Sequence, residues 1–202
     1  MTLTCESSSL DDYLEETTEV DYGHFSIKAL ASELYSQSLN EMDYVKTAFE
    51  FVRDHISHSV DIQSSRVTCR ASEVLLFKEG ICYAKSNLLC ALLRCQGIPA
   101  GFCYQRLTLG DTPDTGYVIH ALNAVYIRSI GKWIRLDARG NKSGVDAQFS
   151  LEEEKLAFPI REEYDEIDYP VIYTKPNIKT IHSLLQNTDC TTMYLHGLPS
   201  SL

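Results

Sequence analysis

No stretch of about 18 apolar residues occurs in this chain of 202 residues, so no segment is expected to span a membrane. Positive charge is scarce: 18 Lys and Arg stand against 28 Asp and Glu, a formal net charge of −10. No basic run concentrates what there is. Nucleic acid and anionic membrane surfaces are therefore not expected as partners, because an acidic chain repels phosphate. The opening residues, Met1 to Ser9, have neither a basic end nor an apolar run, and a secretory leader is not expected. No Cys-x-x-Cys occurs among the seven cysteines, at 5, 69, 82, 90, 95, 103 and 190, which argues against a zinc knuckle or a redox dithiol. Their odd number and irregular spacing fit a reducing cytoplasm better than a secreted disulfide framework. No cofactor and no metal are expected, and there is no internal repeat.

What the chain does have is enough apolar residue, 44%, for one sizeable core. Residues 1–22 are polar and acidic and read as an N-terminal arm. Ile27, Leu30, Ala31 and Leu34 fall at helical spacing. Asn40, with Asp43 three residues on, caps a second helix whose apolar stripe is Val45, Ala48, Phe49, Val52 and Ile56. Residues 56–61 read as a short strand or extended loop, 71–77 as a short helix and 82–96 as the most apolar helix, hence the central one. Strands are predicted over 100–108, 117–127 and 132–137, where Val, Ile, Tyr and Phe cluster between turn residues. Residues 149–202 form an acidic extension expected to pack on the core, with a strand near 169–173, a helix over 178–186 and a tail of about a dozen residues. Helices first and a meander of strands after them predict an α+β domain, with a catalytic core over 23–148.

The chemistry is expected at Glu79-Gly80-Ile81-Cys82. A glycine turn delivers a cysteine to the first turn of the apolar helix, where unpaired N–H groups and the positive end of the helix dipole favour thiolate, the nucleophilic form. Gly97 and Pro99 end that helix. Downstream, His120 lies in the second strand and Asp137 ends the third. Partners in an antiparallel pair have residue numbers of constant sum, and a tight turn at Arg128–Ser129 puts His120 opposite Asp137, a register that a bulge at Gly131 would shift by a residue or two. A carboxylate there can orient an imidazole that takes and returns the thiol proton. The Cys82 N–H is one donor for an oxyanion, and His58 and Gln63 are the candidates for a second. Tyr83 lines the cleft or packs beneath the helix. Arg139 and Asn141 edge the site.

Gly80-x-Cys82, the exit Leu93-Arg94-Cys95-Gln96-Gly97-Ile98-Pro99-Ala100, His120-Ala121, and Trp133 with Asp137 four residues on resemble the transglutaminase-like superfamily. The matched stretch runs from about Val45 to Asp137. The resemblance implies a papain-like fold, with N-terminal helices packed on an antiparallel sheet. It also implies a Cys82, His120, Asp137 triad acting on amide or isopeptide carbonyls through a thioester. Leu122 stands where an aromatic residue is frequent in that family, and Ala138-Arg139 where Thr or Pro is. No calcium-loop pattern is present, so the animal crosslinking enzymes are a poor model.

Three functions follow from this reading. The first is a thiol hydrolase of a peptide, protein or small amide. The second is an acyltransferase to an amine, of transglutaminase or arylamine N-acetyltransferase type. The third is a non-catalytic interaction module on the same fold. The acidic run from Glu152 to Asp168 favours a basic partner or is simply a solvated face. Oligomeric state has no signature in the sequence.

Overall fold

A computed structural model describes residues 2–202. In chain order the elements are β1 (Thr4–Cys5), α1 (Phe25–Ser36), α2 (Glu41–His55), β2 (Ser57–His58), α3 (Ala71–Phe77), β3 (Glu79–Gly80), α4 (Cys82–Cys95), β4 (Ala100–Thr108), β5 (Tyr117–Ile127), β6 (Lys132–Leu136), β7 (Ile167–Asp168), β8 (Val171–Ile172), α5 (Ile178–Gln186) and α6 (Cys190–His196). The architecture is α+β, as the order of elements predicts.

Helix α4 is the pivot. It packs against α1, α2 and α3 and against strands β4 and β5, and every residue from Tyr83 to Arg94 is buried. A helix buried all round must satisfy its polar side chains internally. Asn87 donates to the Cys69 carbonyl, 2.9 Å away. Lys85 donates to the carbonyls of Ile56 and Arg53. Arg94 donates to the carbonyls of Ala100, Glu15 and Thr174, tying the arm and the extension to the core. The helix stops where Gly97 takes a left-handed φ of 69°, a conformation cheap only for glycine.

The sheet has the order β6-β5-β4-β7, with all three pairings antiparallel. Its two faces separate by the alternation of strand side chains. Phe102, Tyr104, Ala121 and Val125 join the core around α4. Cys103, Leu122 and Ala124 pack with Tyr13 and Ile172 in a second, smaller core. Leu122 is thus a packing residue beneath the arm. The arm is not a loose strand: Thr4–Cys5 pairs with Val171–Ile172 in parallel, and the Tyr13 hydroxyl donates to the Ile172 carbonyl at 3.0 Å.

Three sequence expectations are corrected here. Gly80 does not supply a left-handed turn. That conformation belongs to Lys78, at φ 57°. Gly80 is extended, and glycine is required by space: a Cβ would sit 2.9 Å from Thr68 Oγ1 and 3.0 Å from Ala84 Cβ. The last dozen residues are not a plain tail, because Cys190–His196 is helical, capped by the Asp189 carboxylate on the Thr192 N–H at 2.7 Å. The β5–β6 turn is four residues, with Ile127 opposite Lys132 and Asn123 opposite Leu136. The register is thereby two residues from the tight-turn expectation, and His120 is not directly across from Asp137.

Candidate active site

A two-residue slip leaves a strand's side chains on the same face, because the pleat repeats every two residues. Asp137, one residue beyond β6, therefore still reaches His120 on the diagonal. Its Oδ2 lies 2.8 Å from His120 Nε2. Asp137 is itself held by two backbone donors: Arg139 N–H on Oδ1 at 3.1 Å and Ala157 N–H on Oδ2 at 3.0 Å. With Nε2 on Asp137, the other ring nitrogen, Nδ1, is left for Cys82, whose sulfur is close enough to influence the ring. Phe158 packs edge-on against the ring, centroids 5.2 Å apart, and limits its rotation.

Cys82 is the first residue of α4, and no side chain caps that end. The first-turn N–H groups are therefore free to face an anion. The thiol is partly exposed. Cys82, Tyr83, His120, His58 and Arg139 all line one cavity of about 520 Å³, and Asp137 sits behind the imidazole. Leu107 to Asp111, Phe158, Tyr194 and Leu198 also line that cavity.

Burial disfavours a charged His120, but the Asp137 carboxylate, and after it the Cys82 sulfur, outweigh burial and raise its pKa to about 10. Burial likewise disfavours the Asp137 carboxylate, yet the His120 charge and the two backbone donors hold it below the usual range. Lys85 moves the opposite way: burial first, and the Arg139 charge second, lower its pKa to about 7. These shifts act on stability with opposite signs. The raised His120 contributes fully below its ordinary pKa of about 6.5 and loses that contribution as pH climbs to about 10. The lowered Lys85 destabilises in full below about pH 7, where both states carry the proton and the folded chain must bury the charge. That penalty fades as pH rises from about 7 to the ordinary value of about 10.4. Lys85→Met removes the compensating rise. Its denaturation midpoint is therefore expected to drop progressively below that of the wild type as pH rises from 7 toward 10, in a parallel pH series of urea melts. A constant difference between the two proteins would contradict the assignment.

The remaining sequence candidates divide. Tyr83 does both things open to it: it is buried, it is among the residues that line the cavity, and its hydroxyl donates to the Ile119 carbonyl at 2.7 Å. Arg139 lines the cavity with both guanidinium nitrogens on the Asp61 carboxylate. His58 lines it as well. Gln63 and Asn141 are not brought to it. Gln63 borders a separate hollow with Val60, Cys190 and Leu195. Asn141 closes its own loop by exchanging two hydrogen bonds with the Ala147 backbone. Three acidic residues of the extension are also committed to structure: Glu154 and Asp168 clamp Arg135, and Glu166 pairs with Arg161.

Sequence reasoning missed Phe158 and Ala157, which pack on His120 and hold Asp137, and Tyr194 and Leu198, which line the cavity. They lie in loops and a short helix with no periodic signal and no chemistry of their own. No helix among the described residues is long and apolar enough to cross a membrane. No group of three or more His, Cys, Asp or Glu among them could hold a metal.

The family model of the transglutaminase-like superfamily matches residues 28–138, a span that includes Cys82, His120 and Asp137 and excludes Phe158, Tyr194 and Leu198 of the cavity wall. Among solved structures, the chain is similar to a candidate cysteine protease from Cytophaga hutchinsonii, at 20% identity and a TM-score of 0.53, over 66% of this chain and 43% of that one. It is also similar to the periplasmic domain of TgpA from Pseudomonas aeruginosa, at 18% identity and a TM-score of 0.47, over 62% of this chain and 45% of that one. The chain thus spans less than half the length of either structure. No curated protein matches it. The likeness to the Cytophaga structure shows a shared fold.

Proposed function

The chain belongs to the transglutaminase-like superfamily, and from that premise we propose that it is a thiol hydrolase of peptide or other amide bonds. The observation that carries this reading is the placement of His120, with Asp137 2.8 Å behind it and Cys82 beside it at an uncapped helix start, on one open cavity.

In the proposed reaction the Cys82 sulfur attacks the substrate carbonyl carbon, and the carbonyl electrons move to oxygen. The tetrahedral intermediate collapses with loss of the C–N bond. His120 gives its proton to the leaving amine, and a thioester remains. Neutral His120 then takes a proton from water as the water oxygen attacks the thioester. The C–S bond breaks, the carboxylic acid leaves, and the thiolate–imidazolium pair is restored. Asp137 keeps Nε2 occupied so that Nδ1 faces the sulfur, and it stabilises the imidazolium. The family membership favours a peptide or protein substrate. All seven cysteines are unpaired, which supports a reducing, cytoplasmic setting.

Iodoacetamide labelling followed by mass mapping tests the premise. Burial raises Cys69 and Cys103 to about 12 and Cys90 to about 11, so these thiols are expected to stay unlabelled at neutral pH. The partly exposed competitors are Cys5 and Cys95. Cys82 is expected to react at least about tenfold faster than either, because it alone stands at an uncapped helix start beside an imidazole that can take its proton. Equal rates at the three would overturn the reading. In the same preparation, product from an amide library is expected to be the free acid even when a labelled amine is supplied.

A further inference from the structure

An acyl-transfer site needs two donors where the carbonyl oxygen gathers charge, and the Cys82 N–H is one. The cavity is lined by a buried polar side chain with an atom that no other group satisfies. His58 is only 9% exposed, yet it lines the same cavity as Cys82 and His120. Its Nδ1 is buried with no hydrogen-bond partner. A buried polar atom left unpaired costs about 1–3 kcal/mol, so such a residue calls for an explanation.

The backbone explains its position. Strand β2 runs parallel to β3, with His58 opposite Gly80, two residues before Cys82. The Ser59 N–H donates to the Gly80 carbonyl at 3.3 Å, which fixes β2 against the start of α4. Two residues upstream of His58, the Ile56 carbonyl is held by the buried Lys85 ammonium. The segment is thus anchored on both sides of His58.

The protonation state also fits a donor. Burial, and after it the Arg139 charge, push the His58 ring well below the ordinary histidine range against the opposing Asp61 charge, with Lys85 and His120 adding to the push. The ring is neutral and carries one N–H. Nδ1 is sealed without an acceptor, so the proton belongs on Nε2, the nitrogen left to face the cavity. A neutral N–H can donate to an oxyanion without competing with His120 for the thiolate.

We propose that His58 is the second oxyanion donor, its Nε2–H and the Cys82 N–H together binding the tetrahedral oxygen. This rests on the thiol-hydrolase reading above. Of the two side chains that the sequence offered for this role, Gln63 borders the other hollow.

Two reactions of the same sulfur test it. Acylation by p-nitrophenyl acetate passes through a tetrahedral oxyanion. Alkylation by iodoacetamide is a direct displacement at carbon and develops no such oxyanion. For His58→Ala, Cys82-dependent release of p-nitrophenol is expected to fall by about 10²-fold or more, while the alkylation rate of Cys82 stays within about twofold. His58→Gln, which keeps an N–H at similar reach, is expected to recover part of the loss. The alkylation rate doubles as a control that the site is folded and the thiolate formed. Acylation and alkylation falling together, or acylation left unchanged, would overturn the proposal. If the wild type itself shows no release beyond that of Cys82→Ala, the hydrolase reading has failed, and this one falls with it.

Discussion

Cys82→Ala is expected to reduce turnover of any amide substrate by at least about 10⁴-fold and to leave the fold intact. The size follows from how a nucleophile–base pair works. Removing the nucleophile removes the covalent route altogether, and what survives is the binding and oxyanion contribution alone. The structural cost is small because Cys82 is partly exposed and, as the first residue of α4, carries no capping bond through its side chain. A change of no more than about 1 kcal/mol is expected from such a substitution. Turnover measured beside a denaturant melt checks both halves. Retained turnover would remove the mechanism, and an unfolded variant would show that the sulfur packs more than its exposure suggests.

Asp137→Ala is expected to be costly twice over, lowering kcat by about 10²- to 10⁴-fold and stability by about 3–5 kcal/mol. Asp137 is fully buried and ends three contacts: His120 Nε2, Arg139 N–H and Ala157 N–H. Deleting it strands two backbone donors and leaves His120 without its counter-charge. Asp137→Asn separates orientation from charge. An amide oxygen can still accept from His120 Nε2, but the NH₂ group must then face the Arg139 N–H, donor against donor. Some turnover is expected to survive in the Asn variant, with stability still reduced and the His120 titration, followed by its imidazole NMR signals, shifted down from about 10. Identical behaviour of the Ala and Asn variants would show that the carboxylate acts only as a packing element.

Much of this was legible because the relevant signals are local. The helix over α4 shows as an apolar run with Gly97 and Pro99 behind it, and its mixture of Lys85, Asn87 and Arg94 is explained only by carbonyls arriving from elsewhere. The His120–Asp137 encounter was reached through a turn two residues too short. The inference survived because the error was even, and an odd slip would have turned Asp137 to the other face of the sheet. Gly80 reads as a turn glycine from its neighbours, whereas its real constraint is that Thr68 Oγ1 and Ala84 Cβ leave no room for a Cβ, a closeness that no one-dimensional pattern contains.

The sequence alone determined the class of fold, the helix that carries the thiol, and the identity of the three groups expected to react, since periodicity, glycine and proline stops, and strand alternation act over a few residues. Tertiary structure alone decided that Phe158, Tyr194 and Leu198 return from the extension to wall the cavity. It also set His58 against that cavity while turning Gln63 away. Those choices are made where distant segments meet, and the free energy that selects them comes from burial and hydrogen bonding between partners far apart in the chain.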